Sequence, residues 1–245
     1  MNAIPDRTRP TRRALMIGGA AALGALIAPG IRLVEVAAAP RPQGEPVSSK
    51  VRWGLLIDAN RCDPDCRECV VACENENGWP QAKRPTDVQW IRKVDLKDRK
   101  SGRAVSLPVM CQHCAEPPCV DVCPTGASFK RADGIVLVDR HSCIGCRYCM
   151  MACPYKARSF VHEPVTTQNP DVPRGKGCVE SCTLCVHRID RGDGPACAKA
   201  CPTQAIVFGD LNDPDSEIAR RVREVRTVQL RADLKLDPGV RYAGL

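Results

Sequence analysis

Sixteen of the seventeen cysteines in this sequence fall into four closely spaced groups of four. The groups are Cys62, Cys66, Cys69 and Cys73; Cys111, Cys114, Cys119 and Cys123; Cys143, Cys146, Cys149 and Cys153; and Cys182, Cys185, Cys197 and Cys201. Thiols at this density either form disulfides or bind metal, and their spacing helps to distinguish the two.

The third group has the spacing C-x2-C-x2-C-x3-C-P, from Cys143 to Pro154. This is the bacterial ferredoxin run, in which three thiolates bind one 4Fe-4S cluster and the fourth reaches a neighbouring cluster. The second group widens one spacing to four residues and the fourth group widens it to eleven, but both keep the C-x3-C-P ending. The sixteen cysteines are therefore predicted to be ligands of 4Fe-4S clusters.

The first group departs from this pattern, because it opens with C-x3-C and no proline follows Cys73. Four clusters are expected, and three are the alternative. Cys178 belongs to no group. It is predicted to be a buried thiol beside a cluster, with a substitute ligand as the alternative because it lies four residues before Cys182.

Two other uses of the cysteines agree less well with the sequence. A structural zinc site usually takes two cysteine pairs separated by a loop, whereas here three close thiols are repeatedly followed by a fourth. A disulfide scaffold would suit an exported chain, but the odd number of cysteines and the repeated ferredoxin spacing argue against it.

Proline residues and strand patterns indicate how the cysteines are positioned. Pro124, Pro154 and Pro202 each follow the last cysteine of a group, where they stop any helix begun earlier. A C-terminal helix is predicted after Asp213 as the cap and Pro214 as the first helical residue. Its apolar face would hold Ile218, Val222 and Val225.

Strand candidates lie before the first group and after the second and fourth groups. Residues 51–58 and 205–210 are predicted as strands, and 128–140 as a hairpin with a two-residue turn at Asp133-Gly134. In that hairpin Ile135 and Leu137 would share one face. Residues 74–110 are predicted to contain an inserted hairpin with its turn in KDRKSGR.

The N-terminus has the features of a twin-arginine export signal. Arg12 and Arg13 precede an apolar run from Ala14 to Ala28 and small residues near Ala38. The run has fifteen residues, fewer than the roughly 20 that a spanning helix needs, so a permanent anchor is the less favoured alternative. Residues 1–39 are therefore predicted to direct the chain to the periplasm, already folded around its cofactors.

The net charge of +8 does not require a nucleic-acid partner. Residues 1–39 contribute five arginines against two acidic residues, and each oxidised cluster with four thiolates carries about −2. The basic residues are thus expected to compensate cluster charge. Hydrolase, zinc-protease and dinucleotide-binding motifs are all missing from the sequence, so no independent catalytic site is predicted. His113, between two cysteines, is expected to donate a hydrogen bond near sulfur rather than to bind iron.

The four-group plan resembles the four-cluster iron-sulfur subunits of dimethyl sulfoxide, polysulfide and nitrite reductases. The segments CMMACPYKARSFVHEP, PRGKGCVESCTLCVHR and FGDLNDP, with the twin-arginine start, are most similar to DsrO-type subunits of DsrMKJOP complexes of sulfur metabolism. That resemblance implies a non-catalytic, periplasmic subunit docked on an NrfD-type integral membrane subunit that interacts with quinone. It also implies a multihaem cytochrome c among the other subunits.

The same resemblance implies how the groups combine. The four implied ligand sets are Cys62, Cys66, Cys69 and Cys201; Cys73, Cys182, Cys185 and Cys197; Cys111, Cys114, Cys119 and Cys153; and Cys123, Cys143, Cys146 and Cys149. One ferredoxin-like module would comprise residues 50–73 with 178–212, and the other residues 111–165. Residues 74–110 would be the inserted hairpin, and 213–245 a C-terminal helix and extended tail.

The predicted fold is α+β, consisting of two loop-rich, bacterial-ferredoxin-like modules that are related by an internal repeat and hold two 4Fe-4S clusters each. The predicted function is electron relay between a membrane quinone site and a cytochrome c, without bond-making chemistry. The alternative is the iron-sulfur subunit of a periplasmic molybdopterin oxidoreductase that acts on thiosulfate, polysulfide or tetrathionate.

Overall fold

The computed structural model describes residues 47–166 and 168–245. The predicted export signal at 1–39 lies outside the described residues. The fold is mixed α/β, with small sheets and short helices. Within the described residues, no helix is both long enough and apolar enough to span a bilayer.

A four-stranded sheet contains the first and the last strand of the described residues. Its strands are β1 (Trp53–Asp58), β8 (Ile206–Asp210), β9 (Thr227–Val228) and β10 (Val240–Ala243). The order is β8-β1-β10-β9, with β1 antiparallel to β8 and parallel to β10. The predicted strands at 51–58 and 205–210 are confirmed, and their pairing joins the segment before the first cysteine group to the segment after the fourth.

The C-terminal residues, predicted as an extended tail, form part of this sheet. β10 lies between β1 and β9, and its Tyr242 side chain is fully buried. Residues 236–239 also bond to the second cysteine loop, since Ala115 N donates to Asp237 O and Gly239 N to Gln112 O. β10 has only four residues, and its apolar and polar side chains alternate only in part. The sequence pattern is therefore too weak to predict this strand.

Three two-stranded hairpins complete the β structure. They are β2 (Ile91–Lys97) with β3 (Ala104–Met110), β4 (Ser128–Lys130) with β5 (Val136–Val138), and β6 (Arg158–Phe160) with β7 (Val179–Ser181). The first confirms a hairpin within 74–110, and its turn bonds Asp98 N to Arg103 O.

The hairpin after the second cysteine group has a longer loop than the predicted Asp133-Gly134 turn. Residues 131–135 form the loop, in which Arg131 Nη2 pairs with Asp133 Oδ2 at 2.8 Å. Trp53 N donates to Asp133 O, so this loop is also tied to the start of β1. Gly134 N also donates to Arg131 O, and Gly134 has a left-handed φ of 86°, so a local turn over residues 131–134 closes the loop.

Six α-helices lie in the described residues, and three of the short ones are followed by a Cys-Pro pair. They are α1 (Glu68–Asn77), α2 (Pro118–Asp121), α3 (Tyr148–Ala152), α4 (Val186–Ile189), α5 (Ala196–Lys199) and α6 (Glu217–Glu224). Helices α2, α3 and α5 have four or five residues and end just before a Cys-Pro pair. Without that proline, α1 continues for ten residues to Gly78, whose left-handed φ of 65° ends it.

Helix α6 begins later than predicted. Ser216, not Asp213, is its cap, and Ser216 Oγ accepts a hydrogen bond from Ala219 N at 3.2 Å. Asp213 instead accepts from Asp215 N in the preceding turn. Ile218 is fully buried against the sheet as predicted, whereas Val225 lies beyond the helix and is exposed.

Cysteines form a large part of the interior. Nine of them belong to the main core cluster: Cys69, Cys73, Cys111, Cys114, Cys119, Cys149, Cys153, Cys182 and Cys197. The aromatic residues are few, at 4% of the chain, and Trp90 and Tyr242 are the largest that are fully buried. Thiols therefore make up a substantial minority of the side chains in this buried cluster.

Candidate metal centres

Two cavities in the second and third cysteine groups are lined by thiols from both groups. One is lined by Cys111, Cys114 and Cys119 together with Cys153, and the loop before α2 and the Cys-Pro turn after α3 form its walls. The cysteine at the end of the third group thus lies with the three cysteines at the start of the second.

The other cavity has the reciprocal composition. It is lined by Cys143, Cys146 and Cys149 together with Cys123 from the end of the second group. Cys149 and Cys119 are buried, but Cys146 is exposed. This cavity is therefore the one of the two that lies at the molecular surface.

The first and fourth groups are brought together in the same crossed manner. Burial, together with the neighbouring thiols of Cys62, Cys201 and Cys66, raises the pKa of Cys69 to about 12. These four cysteines are the first set that the family resemblance implies.

The remaining set is more deeply buried. Burial, followed by the neighbouring Cys185 thiol, raises the pKa of Cys73 to about 12. Burial also raises the pKa of Cys197 well above its ordinary value, and the thiols of Cys73 and Cys185 contribute to that rise. The pKa of Cys182 rises in the same way, with Cys73 and Cys197 as its nearest charges. Four thiols from two distant groups therefore share one buried environment.

Electrostatic influence between thiols links each of the four sets to the next, and we call this order the row of sets. Cys69 influences the pKa values of both Cys73 and Cys197, which links the first set to the second. The charge of Cys111 raises the pKa of Cys182, which links the second set to the third, and the charge of Cys149 raises the pKa of Cys119, which links the third set to the fourth. The row begins at partly exposed Cys62 and Cys66 and ends at exposed Cys146.

The residues fit 4Fe-4S clusters. All seventeen cysteines lie in the described residues and are free thiols, so none forms a disulfide. Buried thiols with raised pKa values are neutral unless a cation replaces their protons, and cluster iron does so. Side-chain donors are also directed at the thiols: the Tyr155 hydroxyl at Cys114, and the Arg158 guanidinium at Cys119 and Cys149. Cluster sulfur supplies acceptors for such donors.

Backbone amides donate to several thiols. Ser128 N lies 3.3 Å from Cys123 Sγ, and Ala205 N lies 3.2 Å from Cys201 Sγ. Each follows a Cys-Pro-Thr turn whose fourth residue, Gly126 or Gln204, has positive φ. Leu184 N lies 3.4 Å from Cys182 Sγ. Such N-H donors stabilise thiolate and cluster charge.

Lys93 and Asn77 are among the side-chain donors to sulfur that were not predicted from the sequence. Lys93 Nζ, on the inserted hairpin, lies 3.2 Å from Cys62 Sγ, and no sequence signal links the two. Asn77 Nδ2 lies 3.4 Å from Cys73 Sγ and 3.9 Å from Cys185 Sγ. Cys73 and Asn77 are four residues apart on one helix and therefore lie on the same face of it, so the spacing could have indicated that contact.

His113 has a backbone partner. Its buried Nδ1 accepts a hydrogen bond from Val136 N at 3.1 Å, so the neutral ring carries its proton on Nε2. Burial, together with the positive charges of Arg52 and Arg158, lowers the pKa of His113 to about 3. Nε2 is buried and has no partner among the described protein atoms. Donation to a cluster sulfur stays a prediction.

Cys178 lies beside the third group. It is buried, and its Sγ donates to Arg140 O at 3.3 Å. Burial raises its pKa, with Cys143 as the next cause. Although Cys178 is four residues from Cys182 in sequence, its nearest group thiol is therefore Cys143.

We expect Cys178→Ala to keep the full complement of about sixteen irons per chain, since sixteen other thiols complete four sets. Iron and acid-labile sulfide analysis of the purified protein measures this. Cys143→Ala is the matched variant and is expected to lose about four irons. Equal loss in both variants would make Cys178 a ligand.

The fold and the buried thiol sets define the class of protein: an iron-sulfur electron-transfer protein of ferredoxin type. Residues 103–211 match the family model described as a 4Fe-4S dicluster domain. Over 96% of its length the chain is 44% identical to the Hdr-like menaquinol oxidoreductase iron-sulfur subunit 1 of Archaeoglobus fulgidus, of which it covers 97%.

Two bacterial relatives are similar over most of the chain. A tetrathionate reductase subunit of Salmonella typhimurium is 40% identical, with 91% of this chain and 85% of the relative covered. Protein NrfC of Escherichia coli K12 is 39% identical, with 77% and 78% covered. The chain belongs to the family of ferredoxin-type iron-sulfur subunits of oxidoreductase complexes. Its part in such a complex is electron transfer, and catalysis belongs to other subunits.

Proposed function

We propose that this chain relays single electrons between an NrfD-type, quinone-interacting membrane subunit and a multihaem cytochrome c in a DsrMKJOP-like complex of sulfur metabolism. The supporting observation is the row of four cysteine sets, which has an exposed or partly exposed cysteine at each end. The 44% identity to a subunit of a menaquinol oxidoreductase supports a quinone-linked partner at one end.

The ligand assignment belongs to the same proposal. Four clusters would be held by the crossed sets, with groups one and four forming one module and groups two and three the other. The shared cavities of the second and third groups support the latter module. The pairing of β1 with β8 supports the former, because it joins residues 50–73 to 178–212. The similar Cys-Pro turns at Gly126, Lys156 and Gln204 support an internal repeat.

Isolation of the native complex tests the proposed partners. Co-purification with a membrane subunit and a c-type cytochrome is the expected result. A second candidate function is the electron-transfer subunit of a periplasmic molybdopterin oxidoreductase, favoured by 40% identity to the tetrathionate reductase subunit. Recovery of a large molybdenum-containing subunit in place of the cytochrome would establish the second candidate. Processing of residues 1–39 and recovery from the periplasm would test export.

The two ends of the row differ in surface chemistry. Around Cys146, three apolar side chains are exposed: Ile144 by 67%, Met151 by 66% and Tyr148 by 55%. Around Cys62 and Cys66 the neighbours are charged: Arg61, Asp63, Asp65, Arg67 and Lys93. Permanent interfaces are more apolar than transient ones. The Cys146 end would therefore dock the membrane subunit and the charged end the cytochrome.

We expect Met151→Glu to weaken association with the membrane subunit about tenfold, because a carboxylate would be buried in an apolar contact. Affinity of the holoprotein for the detergent-solubilised subunit measures this. Val225→Glu is the control, since Val225 is 42% exposed but lies after α6, outside all four cysteine groups. Unchanged affinity of the Met151 variant would place the membrane contact elsewhere.

A further inference from the structure

Arg158 is a buried cation within the second and third cysteine groups, at the start of β6. Its side chain is buried, with the residue only 5% exposed. No carboxylate pairs with it in the part of the chain that the structure describes. Buried charges in proteins are normally paired or bound to metal centres, because burial of an isolated ion costs several kcal/mol.

The contacts of Arg158 are directed to the cysteine sets. Nη2 donates to Cys119 Sγ at 3.1 Å and to Ser128 Oγ at 2.8 Å. Arg158 also lines the cavity shared by Cys111, Cys114, Cys119 and Cys153, and a further hydrogen bond joins its guanidinium to the Cys149 thiol of the neighbouring cavity. The counter-charge for this guanidinium must therefore come from what the cavity holds.

The electrostatic surroundings agree with this geometry. Burial by itself lowers the pKa of Arg158, but the negative charges of Cys119, Cys111 and Cys149 outweigh it and leave the pKa above its ordinary value. Cys149 belongs to the neighbouring, more exposed cavity. Arg158 thus lies between the two proposed clusters of this module, nearer to the buried one.

We propose that Arg158 raises the reduction potential of the cluster at Cys111, Cys114, Cys119 and Cys153 above that of the cluster at Cys123, Cys143, Cys146 and Cys149. Reduction adds one negative charge to a cluster, and a buried cation beside it stabilises the reduced form. The hydrogen bond from Nη2 to Cys119 Sγ, a proposed ligand of the same cluster, adds to this effect. Arg158 acts as a positioning residue that adjusts the reduction potential. An electron that enters this module therefore reduces the buried cluster in preference to the exposed one.

This inference rests on the proposed ligand sets, and the experiment separates the two. Potentials are measured on the iron-loaded full chain by redox titration followed by electron paramagnetic resonance. The resonance signal lost in Cys153→Ala identifies the buried cluster. For the cluster that gives this signal, we expect Arg158→Gln to lower the reduction potential by at least 59 mV. This corresponds to a tenfold shift of the one-electron equilibrium toward the oxidised form.

Arg158→Lys keeps the positive charge. This variant is expected to retain more than half of the difference in reduction potential between the two clusters of the module. Arg223→Gln removes the same charge from exposed α6 and is expected to change nothing. An unshifted signal in fully loaded Arg158→Gln, or an equal shift in Arg158→Lys, would overturn the proposal. If Cys153→Ala loses no cluster, the ligand sets themselves are wrong.

A measurement on the unmutated protein covers the case in which Arg158→Gln does not assemble. In protein labelled with ¹⁵N-arginine and reduced with dithionite, pulsed electron paramagnetic resonance should detect a ¹⁵N coupling to the cluster identified above. Arg158 is the arginine whose nitrogens line that cavity. Lack of any such coupling would contradict the proposed hydrogen bond.

Discussion

Cys153→Ala is expected to destroy the cluster shared with Cys111, Cys114 and Cys119, and to leave the cluster of its sequence neighbours Cys143 and Cys146 intact. The structure places Cys153 in the cavity of the second group, which supports its thiol as the proposed fourth ligand there. The loss amounts to about four of sixteen irons. Electron transfer along the row should stop, because the middle of the path is removed.

Paired variants make this test specific. Cys119→Ala should lose the same resonance signal as Cys153→Ala, whereas Cys123→Ala and Cys149→Ala should share the loss of a different one. Iron analysis and spectra of the four purified variants provide the comparison. If Cys153→Ala and Cys149→Ala lost the same signal, each sequence group would bind its own cluster and the crossed arrangement would be wrong.

Tyr242→Ala is expected to reduce stability strongly. The ring is fully buried in β10, and truncation of a buried aromatic residue costs about 3–5 kcal/mol. Its hydroxyl also accepts a hydrogen bond from Gln112 Nε2 at 3.1 Å, beside Cys111. The loss should therefore spread to the adjacent cysteine loop and hasten loss of its cluster.

Thermal bleaching of the visible cluster absorbance measures this effect. We expect the midpoint for Tyr242→Ala to fall by roughly 10 °C or more. Tyr242→Phe keeps the ring and loses only the hydroxyl contacts, so its free energy of unfolding should fall by about 1 kcal/mol. A midpoint for the alanine variant close to that of the phenylalanine variant would show that β10 contributes little to the sheet.

The features predicted correctly are local ones. Cysteine spacing identified the cofactor type, alternation identified β1 and β8, and the Cys-Pro pairs identified where short helices end. The errors occurred where distant residues intervene. The loop of Asp133 is bound to Trp53 at the start of β1, and the helix cap is Ser216, whose hydroxyl donates to Asp210 O of β8.

The sequence by itself determined that this protein binds 4Fe-4S clusters and which sixteen thiols are available, because ligand type and local spacing are properties of short segments. Tertiary structure alone decided what surrounds those thiols: Arg158 beside Cys119, Lys93 beside Cys62, and Cys178 near Cys143 instead of Cys182. It also decided that β10 lies beside β1. These contacts join residues tens to nearly two hundred positions apart, and only the packing of the whole chain brings such residues together.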